Sequence, residues 1–172
     1  MPAQFKNIAR VVRTHGSKGE VLVAPLRGLP FLLHEGMSVS LTPPALKRPR
    51  WVTVESLRAE NEEGALVRFS CSHDLHGSES ILCCTVLAHA EDITLGPLTA
   101  AYDDLIGRTV IDERYGELGQ IREVMETPAN DVWVVNGTAH GEVLIPVIPD
   151  AVESIPGEGP IAVHIMDGLL NE

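Results

Sequence analysis

Apolar residues in this chain recur at every second position in short runs, and each run ends at glycine, proline or a charge cluster. A period of two marks strands buried on one face. In the first half the pattern predicts strands over Phe5 to Val12, Glu20 to Ala24, Met37 to Leu41, Trp51 to Leu57, Ala65 to Phe69 and Thr85 to Ala88. The first two flank Thr14-His15-Gly16-Ser17-Lys18-Gly19, where Gly16 and Gly19 suit a tight hairpin turn. The one helical pattern runs from Asp74 to Leu82, with Asp74 as its N-cap. Six short strands with turns between them predict a small β-barrel.

The second half repeats the theme. Strands are predicted over Thr109 to Asp112, Glu117 to Met125, Asp131 to Val135, Glu142 to Pro146 and Ile161 to Ile165. Turns fall at Tyr115-Gly116, at Pro128-Ala129-Asn130 and at Asn136 to Gly141, and Asp103 to Ile106 form one turn ending at Gly107. Asp104 is placed to cap that turn. The expected fold is therefore all-β: two small barrels, a six-stranded one over residues 1–95 and a second over 98–172, joined at the breaker pair Gly96-Pro97.

Charge sharpens that division. Residues 1–96 hold ten Lys/Arg and ten Asp/Glu, whereas residues 97–172 hold three against fourteen, so the whole formal charge of −11 lies in the second half. Such asymmetry points to two units with different partners, and the acidic one suits a basic protein. It argues against a nucleic-acid backbone as the main partner. Hydrophobic residues make up 44% of the 172, enough for two cores, but aromatics only 4%, so the cores must rest on Val, Leu, Ile and Ala. With no leader-like or membrane-spanning run and an odd three cysteines, the expectation is a cytoplasmic monomer without disulfides or membrane contact.

Candidate chemistry is sparse. His15-Gly16-Ser17-Lys18-Gly19 lacks the spacing of a phosphate loop and reads as a hairpin with an exposed lysine. Cys71, His73, His76, Cys83 and Cys84 do not have the paired spacing of a zinc site, so no metal, cofactor or catalytic set is expected. Lys47-Arg48-Pro49-Arg50-Trp51 is the one basic cluster with an aromatic, suited to a touch on RNA. Trp133 is either a core residue or, if exposed, an interface anchor. The rival readings are a small metal-dependent enzyme and a barrel that binds free RNA.

Four stretches in order resemble the ribosome maturation factor RimM family: Arg13 to Glu20; Asp104-Leu105-Ile106-Gly107; Gly116-x-x-Gly119 with Asn130-Asp131-Val132; and Val143-Leu144-Ile145-Pro146 with Gly168-Leu169-Leu170. The resemblance implies a C-terminal barrel of the PRC type and a non-enzymatic factor in late small-subunit assembly and 16S rRNA processing. Its implied partners are small-subunit ribosomal protein nineteen, a basic head protein, and the 30S subunit precursor with its 16S rRNA. With the resemblance, the expected partner contact is the seam residues Tyr102, Asp103, Asp104 and Leu105, joined by Trp133 if it is exposed; the expected ribosome or rRNA contact is Lys18, with Lys47, Arg48 and Arg50 of the basic cluster. Gly16, Gly19, Gly107, Gly116, Gly119 and Asn130 are implied turn residues. Two departures stand out. Ala100 and Ala101 occupy positions where many members carry aromatics, and Gly77 and Cys83 interrupt the family's helix pattern.

Overall fold

Strands of alternating burial need a closed or covered surface for their apolar face, and the first half supplies it by closing a ring. The computed structural model describes residues 4–170. Its first strands are β1 (Phe5–His15), β2 (Glu20–Pro25), β3 (Ser38–Thr42), β4 (Val52–Asn61), β5 (Gly64–Phe69) and β6 (Thr85–His89), joined in the order β1-β2-β5-β4-β3-β6 as a closed barrel. Every neighbouring pair is antiparallel. Val11, Val21, Val23, Val39, Val54, Val67, Phe69 and Val86 fill the interior. The helix α1 (Leu75–Ser80) is capped by Asp74, whose carboxylate accepts from the Gly77 N–H at 2.7 Å.

Two extra residues in β1 reset its alternation. Asn7 faces Leu87 while Ala9 faces Val86, and Val11 faces Val23 while Arg13 faces Leu22. Ile8 and Val12 are thus bulge positions, which bend the strand around the barrel. Gly19, at the end of the hairpin turn, has φ +89, and a Cβ there would lie 2.1 Å from the Ser72 carbonyl oxygen. Only glycine fits both the conformation and the space.

The second half begins with the short helix α2 (Tyr102–Leu105) and continues through β7 (Thr109–Asp112), β8 (Gly116–Met125), β9 (Val132–Gly137), β10 (Gly141–Pro146) and β11 (Ile161–Val163). The sheet order is β10-β9-β8-β7-β11, antiparallel throughout except for the parallel pair β11–β7. The chain divides by contacts into two units, one up to Thr94 and one from Leu95. Trp133, Leu118, Ile121, Val135, Ile145 and Ile161 form the second core.

β8 runs long because it too carries bulges. Leu118 is an extra residue against β7, and Arg122 is an extra residue against β9. They let Leu118, Ile121 and Val124 all point inward although strict alternation would separate them. Among the described residues, no helix is long and apolar enough to cross a membrane.

Candidate partner-binding site

Apolar and acidic residues sort onto opposite faces of α2. Tyr102 and Leu105, three apart on one turn, face inward, and Asp103 and Asp104 face solvent. The residue at the N-cap is Ala101, in extended conformation and without a side-chain capping bond. Asp104 therefore lies inside the turn and does not cap it, contrary to the sequence expectation. The turn is closed by the Ile106 N–H donating to Tyr102 O at 3.1 Å, and Gly107 N–H then joins Ile121 O at 2.8 Å. Ile106 is left 45% exposed beside the two carboxylates.

Tyr102 is held by the residue that precedes β9. Its hydroxyl donates to Asp131 Oδ2 at 2.9 Å. Burial first, and then the Asp131 carboxylate, push the Tyr102 hydroxyl well above the ordinary tyrosine range. Asp131 is itself fixed: its carbonyl accepts from Asn130 Nδ2 and from the Val147 N–H, both at 2.8 Å. Asn130 is further bonded to Thr127 Oγ1. Asn130 and Asp131 thus form one bracket for the turn that carries Asp103 and Asp104.

Three residues expected at the partner surface have most or all of their area inside the second core. Trp133 is 1% exposed, Leu105 2% and Tyr102 9%. Trp133 takes the core place because β9 turns it inward with Val135, while its neighbours Val132 and Val134 are half-buried on the other face. Of this stretch, Asp103, Asp104 and Ile106 are the exposed residues.

Asp112 was not anticipated. It ends β7 almost fully buried, and its carboxylate gathers three backbone donors. Oδ1 accepts from Arg114 N at 2.7 Å and Tyr115 N at 3.0 Å, and Oδ2 accepts from Ile165 N at 2.7 Å. Burial pushes this carboxyl up, but the three N–H donors and the Arg114 charge outweigh it and hold it below the ordinary range. Arg114 also donates to Ile165 O at 2.5 Å, so the segment after β11 is tied to the β7–β8 turn from both sides. An aspartate one residue before a Glu-Arg-Tyr-Gly turn was the available signal.

Gly116 and Gly107, like Gly16, have positive φ. Gly119 adds a steric demand, since a Cβ there would lie 2.2 Å from Asn136 O on β9.

In the first unit Lys18, Lys47 and Arg50 are exposed. Arg48 is not a free cation: its guanidinium donates to Leu41 O at 3.1 Å and to Pro43 O, and so holds the loop it sits in. Cys71 is half-buried, Cys83 exposed and Cys84 buried. Burial raises the Cys71 thiol away from the thiolate form, and among the described residues no three His, Cys, Asp or Glu side chains converge as metal ligands.

Residues 102–159 match the family model described as the RimM PRC barrel domain. The chain is similar along its length to proteins named ribosome maturation factor RimM. That of Staphylococcus saprophyticus is 34% identical over 167 residues, covering 95% of this chain and 98% of that protein. That of Shouchella clausii is 32% identical over 171 residues, covering 96% and 97%. A crystal structure described as a putative 16S ribosomal RNA processing protein RimM from Pseudomonas aeruginosa shares 21% identity over 94% of this chain and 98% of that one, with a TM-score of 0.40.

Proposed function

The chain belongs to the ribosome maturation factor RimM family, and from that premise we propose that it assists late assembly of the small ribosomal subunit by binding, without catalysis. The partner of the second unit is a basic protein of the subunit head, small-subunit ribosomal protein nineteen, met on the 30S precursor. The first unit leans on nearby RNA or protein through Lys18, Lys47 and Arg50. The protein works in the cytoplasm as a monomer. A factor of this kind favours the assembled arrangement because it binds that arrangement more tightly than the alternatives.

The observation that carries this reading is the charge of residues 97–172, fourteen carboxylates against three cations. Asp103 and Asp104, held outward by the buried face of α2 and followed by the exposed Ile106, give that charge a defined and partly apolar place. Tyr102 acts through position: its bond to Asp131 fixes the turn. An affinity-tagged full chain, recovered from bacterial lysate at low salt, tests the reading. The expected yield is ribosomal protein nineteen together with precursor 16S rRNA. Recovery of neither overturns it.

A further inference from the structure

The first unit places aromatic rings on the outside of its barrel. Val86 and Ala88 of β6 point inward, so Thr85, Leu87 and His89 point outward. Residues directly opposite one another on antiparallel strands share a face. Phe5 opposes His89, and Arg10 opposes Thr85, so both stand on the outer wall. Trp51, just before β4, stacks on His89 with ring centroids 4.1 Å apart and planes 12° from parallel. Phe5 leans on both, at 5.6 Å from Trp51 and 5.2 Å from His89. Neither Phe5 nor Trp51 belongs to the barrel core, and all three rings remain partly exposed. In a chain with only seven Phe, Trp and Tyr residues, a cluster on the outer wall needs another reason than core packing.

Two cations accompany these rings. Arg50 precedes Trp51, and Arg10 stands on the same wall, whereas Lys6 opposes the inward-facing Ala88 and is turned away from that wall. Arg10 and Arg50 are exposed. Among the described residues neither has a carboxylate partner, whereas Arg58 and Arg68 are taken by Glu20 and Glu55. Glu91 and Asp92 follow His89 and bound the surface on that side.

From this juxtaposition we propose that the outer wall formed by Phe5, Trp51 and His89, with Arg10 and Arg50, binds a single-stranded segment of RNA. Aromatic faces stack on unpaired bases, and adjacent cations neutralise the backbone. A duplex hides its base faces and would meet only the cations. The proposal rests on the reading of the protein as a small-subunit assembly factor and names an RNA surface distinct from the acidic partner site.

The test titrates the full chain with a labelled ten-nucleotide uridine-rich RNA at 50 mM salt, following both anisotropy and tryptophan emission. Trp133 is buried in the other unit, so quenching reports Trp51. Saturable binding with quenching is expected, with log K falling against log salt at a slope of about −1.4, as for about two phosphates on a single strand. Arg10→Glu with Arg50→Glu should weaken binding at least tenfold, and Trp51→Ala at least fivefold. If Trp51→Ala disturbs folding, the exposed arginine pair decides the matter. Absent binding, equal affinity for a duplex of the same length, equal affinity for poly-glutamate, or undiminished binding by the arginine variant each overturns the proposal. An arginine variant that loses the RNA but still recovers ribosomal protein nineteen from lysate leaves the functional reading standing and supports this surface. Intact RNA binding with no small-subunit component recovered sinks the functional reading alone.

Discussion

Replacing Asp112 tests how the second unit is held together. In Asp112→Asn the amide keeps one oxygen, which can serve Arg114 N and Tyr115 N, but its NH2 then faces the Ile165 N–H. Arg114 and Tyr115 are exposed and their N–H groups can turn to water; Ile165 is buried and has no such substitute. One orphaned buried donor and the lost charge assistance cost about 2 kcal/mol, and Asp112→Ala, which removes all three bonds, about 3–4 kcal/mol. For a unit of this size about 2 kcal/mol lowers the melting temperature by roughly 8–16 °C. The assay is Trp133 emission during heating, in a Trp51→Phe background so that only the second core is observed. The pH dependence has a definite sign. A carboxyl held low in the folded state contributes stability above its ordinary value of 3.8, and that contribution is lost as pH falls through the folded value. The gap between wild type and Asp112→Asn should be full at neutral pH and close in acid below that ordinary value. A gap under about 3 °C at neutral pH, or one that persists undiminished in strong acid, refutes the reasoning.

Tyr102→Phe removes the hydroxyl bond to Asp131 and should cost about 1–2 kcal/mol, seen as a lower melting temperature of the Trp133 signal. Because the Tyr102 hydroxyl is held above its ordinary 10.0, its contribution is complete below that value and is lost only as pH rises toward the folded value; wild type and variant should differ equally at pH 6 and pH 9. Gly119→Ala sets a methyl against the Asn136 carbonyl and should cost about 2–4 kcal/mol, checked by chemical denaturation. Residues 98–172 expressed alone should melt cooperatively, since the second core draws on residues of that half; a non-cooperative profile at moderate salt counts against separate folding.

The two sheets were legible because period-two alternation and turn residues act locally, and a barrel wall reads the same wherever it closes. What the alternation hid was the bulges. An extra residue such as Arg122 leaves no mark in sequence except that Ile121 and Val124 both turn out to be inside. The proposed partner surface was half legible. The carboxylates of Asp103 and Asp104 are exposed as charge predicts, but Tyr102 is drawn inward by Asp131, twenty-nine positions away, and no local pattern announces that bond. Trp133 was undecided because its run is apolar on both faces, and only the closing of the second core gives one face priority. The outer aromatic wall was invisible for the same reason, since Phe5, Trp51 and His89 meet only through the barrel's closure.

The most direct test of the assembly-factor account is calorimetric titration of purified small-subunit ribosomal protein nineteen into the full chain at 50 and 300 mM salt, beside Asp103→Asn with Asp104→Asn. One-to-one binding is predicted, weaker at the higher salt and weaker in the variant, with the loss mainly in association rate when followed by stopped flow. A variant that stays folded and binds as wild type does at both salts, or a wild-type chain that gives no binding heat and no association signal, would contradict it.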